Sequence, residues 1–322
     1  MKTKDRAENP LAGCIPYAEL TAAMVLTASH VVVGKLVIRH FPVFFASGVS
    51  MGAAALLFFL FLIYRNRSYP RVNAIDMLLI AGQAFAGVFL FRVCILYGLG
   101  YTGAIEGGII LSTTPAVVGV VSFLLLKETP TWSKALAILL ALVGITVLNI
   151  EGSTRPPGPG SSLLLGNLLL FGAVLGEAGF TILRKIVSGR VDALVNASYV
   201  GMFSFFMFVP FVVYQAPMLD LTAVGGAEWA QLFYYGTVVP VGSFILWFRG
   251  VSRVQVSTAG VFTGVLPVSS LILSNVILHE RIRGVHGVGM VLVFGALFLA
   301  VRGSARKYSG YARISGGRKN SI

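Results

Sequence analysis

The chain has 322 residues, 56% of them hydrophobic and only 11% charged, with a formal net charge of +13. Soluble domains carry about 25% charged residues, so this chain has too little polar surface to wet a globule, and the composition points to a polytopic membrane protein. The basic excess lies in short clusters between long apolar runs, with no basic stripe interleaved with stacking aromatics, which argues against a nucleic-acid surface.

A helix rises about 1.5 Å per residue, so about 20 apolar residues cross a hydrocarbon layer of about 30 Å. Ten runs meet that length, at roughly 13–34, 43–64, 75–97, 103–126, 132–150, 164–186, 195–214, 228–248, 256–278 and 284–301. They are continuous rather than alternating, which excludes barrel strands of about 9–11 residues. Span one is too long for the apolar core of a signal peptide, about 7–15 residues, and is read as an uncleaved first helix. It carries Glu19, Thr27 and His30. Each has a structural reading beside the functional one: Glu19 at the inner interface, His30 as a packed hydrogen-bond donor or a group titrating near neutrality.

Span two and span seven hold no charge. Arg92 near the end of span three and Glu106 near the start of span four flank the turn "YGLGYTG". They are read as a salt bridge across the hairpin, with Arg92 as a binder of a substrate carboxylate as the alternative. The glycines Gly98, Gly100 and Gly103 in that turn are spaced like a dinucleotide fingerprint, but no strand precedes them and no βαβ unit exists. There is no Walker A sequence, hence no sign of ATP-driven work.

Span six places Glu177 near its middle, in "FGAVLGEAGFTILRK". Ala173, Glu177, Thr181 and Arg184 share a face, and Gly172, Gly176 and Gly179 form a neighbouring small-residue face that permits close helix approach. A carboxylate at a span centre costs roughly 2.5–3.5 kcal/mol on the insertion scale and by default marks a pathway. Glu177 is read as a proton-coupling group or a contact for a cationic substrate group, against a buried ion pair with Arg92 or Arg184. In span nine, Ser274 and Asn275 need hydrogen-bond partners in hydrocarbon.

Nineteen of the 25 Lys and Arg residues fall on one side if the N-terminus is cytoplasmic, so the positive-inside rule favours both termini inside. Trp132, Trp229 and Trp247 sit at predicted span ends, where indoles prefer the headgroup level. The segment 303–322 has no acidic residue and is rich in basic residues, Gly and Ser, a composition that reads as a solvated tail touching anionic lipid. Cys14 and Cys94 form no disulfide framework. No HExxH pattern is present among the four histidines, and neither cofactor nor metal is implied.

The spans repeat. "TTPAVVGVVSFLLLKE" at 113–128 returns as "LPVSSLILSNVILHE" at 266–280, with Pro115 matching Pro267 and Glu128 matching Glu280 at an offset of 152. Earlier in the halves the offset is 150: Lys35 with Lys185, Tyr64 with Tyr214. Five spans per half is an odd number, so the second half enters the membrane from the opposite side and the halves are inverted. The expected organisation is a segment 1–12, a first unit 13–150, a turn-rich loop 151–163, a second unit 164–302 and the tail 303–322. Pro115 and Pro267 each remove a backbone N–H, as helix kinks or gates, or as tolerated membrane-helix prolines. Glu128 and Glu280 are read as structural staples between consecutive helices, with Thr129-Pro130 capping the helix that follows.

These tandem units, each with the Pro-to-Glu spacing and a glycine-bearing last helix (Gly144, Gly295), resemble the EamA domains of the drug/metabolite transporter superfamily over about 15–302. The resemblance implies ten helices, a cavity between the halves and secondary transport of small metabolites, often export. The expected fold is therefore all-α, with ten transmembrane helices in two inverted five-helix repeats. The expected function is alternating-access movement of an amino acid or related compound, proton-coupled through Glu177. Transport of nucleoside-type or drug-like cations is the alternative, and a membrane enzyme or a passive channel the least favoured reading. A small-molecule substrate, the lipid bilayer and protons are the expected partners; no nucleic acid is among them, and the oligomeric state stays open.

Overall fold

The computed structural model describes residues 14–66, 69–101, 110–128, 131–149, 163–219, 224–278 and 284–317. Glu106, Thr129, Pro130, Glu280 and the loop 151–162 lie outside these described residues. The described residues form helices and no strand. Eight helices are long and apolar enough to cross a membrane, and two shorter apolar helices accompany them.

The spans run Ile15–Val37, Val43–Asn66, then Ala74–Ala84 continued by Phe85–Leu90 and Phe91–Tyr101 as span three. Span four is helical at 110–112, turns at Thr113 and resumes as Thr114–Leu126; span five is Trp132–Asn149. In the second half they are Leu163–Val187, Ala193–Gln215, and Gly226–Phe233 continued by Tyr234–Val238 and Val239–Arg253 as span eight. Span nine is split into Val256–Phe262 and Val265–Leu278, and span ten starts at Gly284 and is helical to Gly317. Large apolar side chains such as Leu56, Leu60, Val291 and Phe298 stay exposed on the outer faces. In a bilayer that belt meets acyl chains and costs nothing.

The internal repeat is visible in the backbone. The end of span one, Phe41 N–H to Val37 carbonyl at 2.9 Å, matches the end of span six, Val191 N–H to Val187 carbonyl at 2.9 Å. Corresponding elements also meet across the halves: two on seven, five on ten, one on eight with three on six, and four on nine. Each unit thus buries much of its apolar surface against the other, beside contacts within each half such as seven on eight and four on five. Span five meets span ten backbone to backbone, since a Cβ on Gly144 would lie 3.0 Å from the Gly289 carbonyl oxygen.

Pro115 and Pro267 do not kink a continuous helix. Each stands in the first turn of a helix that starts just after a break, at Thr113 in span four and at Thr263–Gly264 in span nine. There the missing N–H would have had no helical partner anyway. The two breaks are built alike: Thr113 Oγ1 donates to the Ile110 carbonyl at 2.6 Å, and Thr263 Oγ1 to the Gly260 carbonyl at 2.7 Å. The offset of 150 therefore holds as far as the break, and the two extra residues of the 152 offset fall between break and proline.

Trp247 is not an interfacial belt residue. Span eight extends six residues beyond it to Arg253, and the indole is 5% exposed in the main core cluster with Leu20, Phe248 and Val251. The same extension puts Arg249 and Arg253 on the last helical turns rather than in a loop. Both pair there with Glu19 of span one, at 2.9 and 3.2 Å, where cations also suit the helix C-terminus.

Candidate transport site

Span six lies on span three through its glycine face. A Cβ at Gly176 would sit 2.4 Å from the Ala86 carbonyl oxygen, while Gly172 faces Cys94 and Gly179 faces Ala86. From the other side Gly87 admits Phe180 and Gly98 admits Leu170. On this antiparallel register Arg92 and Glu177 lie within about three residues of the same level, ~4.5 Å along the axis. The close approach swings Glu177 away from the glycine seam. It is half-buried, and its carboxyl group lies beside the Thr114 side chain at the break of span four, where Thr114 Oγ1 donates to the Leu111 carbonyl at 2.8 Å. No cation pairs with it among the described residues.

Arg184 is not the partner of Glu177. It is 1% exposed, donates Nε to the Phe248 carbonyl at 3.2 Å and Nη1 to the Val191 carbonyl at 3.1 Å, and its guanidinium lies 5.5 Å from the centre of the Phe248 ring. Lys185 likewise donates to the carbonyls of Val251, Ser252 and Val254. Both cations close off the C-terminal carbonyls of span eight. Thr27 and Thr181 spend their hydroxyl protons on the carbonyls four residues back, Ala23 and Glu177. Asn275 is half-buried on the segment of span nine that packs against span one.

Arg92 stands just after a π-helical turn, Phe85–Leu90, and span eight has its own π turn at Tyr234–Val238. Their first residues, Phe85 and Tyr234, are 149 positions apart, so the irregularity recurs in both halves. Such bulges cluster at functional sites. Arg92 Nη1 donates to Tyr235 Oη at 2.8 Å, and the Tyr235 ring stacks on His30 with centroids 3.7 Å apart. Beside them Ser29 Oγ and Tyr234 Oη are 3.0 Å apart. His30 and Phe180 occupy equivalent positions, 150 apart, and each presses on the π turn of the opposite half.

The structure thus brings His30 and Arg92 together through Tyr235, and places Glu177 near their level. Thr114 and Tyr235 were not singled out from sequence; a hydroxyl before a proline and one of eleven tyrosines carry no periodic signal. Tyr97 is half-exposed and lines a pocket of about 390 Å³ with Phe44, Pro210, Phe211, Tyr214 and Gln215.

Glu128 touches the next helix of its own hairpin, 4.0 Å from Lys134 Nζ of span five, and also reaches the other half. Its carboxylate accepts from Val256 N–H at 2.7 Å, Ser257 N–H at 3.2 Å and Ser257 Oγ–H at 2.6 Å, the N-terminus of the first segment of span nine in the opposite half. Lys127, with φ 52°, turns the chain out of span four so that the carboxylate reaches across.

The bundle end that carries Glu19 and Arg190 is sealed by polar contacts. Asp76 is 1% exposed and takes Arg190 Nη2 at 2.6 Å and Nε at 2.8 Å, with Asn73 Nδ2 at 2.7 Å. Tyr69 Oη meets Ser198 Oγ at 2.8 Å, and Tyr199 Oη donates to the Pro70 carbonyl. Burial pushes the Tyr69 phenol above its ordinary pKa, so it stays a neutral hydrogen-bonding group. Asn196 Nδ2 donates to Gln83 Oε1 at 3.1 Å in the same packing. Positions 150 away from Asp76, Ser198, Asn196 and Gln83 are Gly226, Gly48, Ala46 and Phe233, so the other end has no such polar seal from these positions.

A repeated helical bundle with exposed apolar faces and ionisable groups at its mid-level defines a multi-pass membrane transporter. Residues 17–150 and 164–302 each match the EamA-like transporter family, and the chain belongs to that family. It is 39% identical to "Uncharacterized transporter YetK" of Bacillus subtilis (strain 168) over 285 residues, covering 88% of this chain and 86% of the relative. It is 23% identical over 254 residues to "Biotin transporter" of Escherichia coli (strain K12), covering 77% and 80%. A solved protein crystal structure, 18% identical, superposes over 90% of this chain and 98% of its own with a TM-score of 0.74, which shows the shared fold.

Proposed function

We propose that this integral membrane protein is a secondary transporter that exports a small metabolite, an amino acid or related compound, by alternating access with proton coupling at Glu177. The observation that carries the reading is Glu177 itself. It is a half-buried carboxyl group in the middle of span six, beside the Thr114 side chain and without a paired cation among the described residues. An ionised carboxylate there is costly, and binding a proton or a cationic group removes that cost. The charged groups on the elements around it are Arg92 on span three, Asp76 at the start of that span, which pairs with Arg190, Arg249 and Arg253 at the end of span eight, which pair with Glu19, and Arg184 and Lys185 on its own span. The last two are committed to carbonyls of span eight and loop residues.

The matched breaks in spans four and nine and the matched π turns in spans three and eight support two inverted halves that exchange conformations. Thr114, the neighbour of Glu177, directly follows one of those breaks, so a change in the protonation of Glu177 acts beside the joint between two helical segments. The cluster of basic residues at the Glu19 end supports cytoplasmic termini in the plasma membrane. The units 13–150 and 164–302 are the proposed moving halves.

The test is pH-dependent counterflow in proteoliposomes across a panel of amino acids, nucleosides, organic cations and biotin. Glu177→Gln should leave exchange intact but abolish its pH dependence and any acidification-driven net flux. An unchanged pH profile in that variant removes Glu177 as the coupling group.

A further inference from the structure

The π turns divide spans three and eight in the same place. Beyond them, span three continues as Phe91–Tyr101 and span eight as Val239–Arg253. The internal repeat makes these end segments counterparts, yet they are packed differently. Trp247, in the end segment of span eight, is 5% exposed. It lies in the core cluster where residues of spans one, two, three, six, seven, eight and nine converge, Leu194 of span seven among them. Its counterpart 150 positions back is Tyr97, which is 50% exposed. Tyr97 lines the cavity of about 390 Å³, and the opposite wall includes Phe44, the counterpart of Leu194. The cavity thus stands at one end of the bundle in the place that is filled with side chains at the other.

Charged groups hold the filled end. Arg184 donates to the Phe248 carbonyl, and Lys185 to the carbonyls of Val251, Ser252 and Val254. Glu19 pairs with Arg249 and Arg253. All of these contacts fasten the end of span eight. The positions 150 away from Arg184, Lys185, Glu19, Arg249 and Arg253 are Gly34, Lys35, Leu169, Leu99 and Gly103. Four of those five have no charge, so the same set of bonds cannot fasten the end of span three. The π turn before each end segment supplies a joint, because a surplus residue interrupts the regular ladder and helices bend at such points.

In inverted halves, what one half does at one end the other does at the opposite end after the exchange of conformations. We infer that this structure is the state closed at the Glu19 end and open at the Tyr97 end, and that Phe91–Tyr101 is the gate of the open end. It pivots on its π turn until Tyr97 fills the cavity against Phe44 and Phe211, as Trp247 fills the counterpart place. The inference rests on the alternating-access reading. The uneven charge set makes the state closed at the Glu19 end the resting one.

The experiment is double electron–electron resonance on the full chain in lipid nanodiscs, in a Cys14→Ser, Cys94→Ser background. Two spin-label pairs are counterparts of each other: Leu96→Cys with Val213→Cys at the open end, and Leu246→Cys with Ile63→Cys at the closed end. Without further substitutions the closed-end pair should show the shorter main distance. Glu19→Gln weakens both arginine contacts and should raise about tenfold a second population, in which the open-end pair has shortened and the closed-end pair has lengthened by the same fraction. Arg253→Gln removes one half-exposed partner and is the gentler variant, with a rise of about two- to fivefold. Adding Tyr97→Ala should cut the shortened population about tenfold or more, since the ring that fills the cavity is gone. A single distance in every variant, a closed-end pair that lengthens while the open-end pair stays put, or a shortened population indifferent to Tyr97 overturns the proposal. Counterflow scores the transport reading separately. Reciprocal distances without flux of any amino acid, nucleoside, organic cation or biotin keep the gate and remove the carrier, and flux without reciprocal distances does the reverse.

Discussion

Replacing Glu128 by glutamine or alanine tests whether the two halves are pinned by a cap that crosses between them. The carboxylate accepts three hydrogen bonds from the start of span nine, at 2.7, 3.2 and 2.6 Å. Bonds to a charged acceptor contribute about 1.5–3 kcal/mol each, and a buried donor left without a partner costs about 1–3 kcal/mol. Alanine removes the acceptor from two backbone N–H groups and one hydroxyl. Part of that loss is recovered, because Ser257 Oγ can rotate and water can reach a side chain that is 11% exposed. A net destabilisation of about 3–5 kcal/mol follows, the range seen when one partner of a buried charged contact is deleted. Glutamine keeps one oxygen for Val256 N–H but turns an N–H₂ toward Ser257, so about 1–3 kcal/mol is lost. At roughly 2 °C per kcal/mol for a chain of this size, the alanine variant should melt about 6–10 °C lower and the glutamine variant about 2–6 °C lower, in detergent. Tryptophan fluorescence reads the transition, since Trp247 is buried in the core that adjoins span nine. If Glu128→Ala melts within a degree of the parent, the crossing cap holds nothing together and the physical account of the repeat glutamate is wrong.

Three further outcomes follow from the packing and the sealed end. Gly176→Ala would drive a Cβ to 2.4 Å from the Ala86 carbonyl oxygen in the π turn, and should destabilise by about 1–3 kcal/mol through overpacking. Gly287→Ala, with nothing within 4 Å of the added carbon, should be neutral or stabilising by up to about 1 kcal/mol. Arg190→Gln removes the bidentate contact to Asp76 and should loosen the sealed end. Maleimide labelling of an Ala197→Cys reporter, at a position that is 0% exposed, should then speed up, and unchanged labelling would show that the aromatic contacts of Tyr69 and Tyr199 hold that end alone.

Much of the architecture was legible because hydrocarbon imposes a simple rule. A span must be long, apolar and hydrogen-bonded to itself, so length and hydropathy alone located the helices. The starts of spans two, five and nine lie where composition placed them, at Val43, Trp132 and Val256. The glycine face of span six was readable for a related reason: residues at helical spacing share a face, and missing side chains leave room for a neighbour. Its predicted use, close approach to another helix, is what Gly172, Gly176 and Gly179 do against span three.

Partnerships were another matter. Arg184 shares a helical face with Glu177, yet the side chain runs to the carbonyls of Phe248 and Val191. Helical spacing says which residues are neighbours on one rod and nothing about which carbonyls a second rod brings near. Trp247 read as a headgroup residue because it closes the predicted span 228–248, but the arginines beyond it pair with Glu19 and the helix continues past the indole. Glu128 read as a local staple because the next helix follows closely, and it does lie 4.0 Å from Lys134 of that helix, but a left-handed turn at Lys127 also takes it to the other half.

The sequence by itself determined the number and placement of apolar spans, their duplication and the presence of a carboxylate in the middle of span six, because these are properties of a single chain in a low-dielectric slab. Only the tertiary structure decided that Arg92 meets Tyr235 and His30, that Glu177 meets Thr114, and that one end of the bundle is latched by Asp76 and Arg190. Those contacts join residues far apart in the chain, 143 positions for Arg92 and Tyr235. A register between two separate helices is set by side-chain packing across their interface, which no periodicity within either helix encodes.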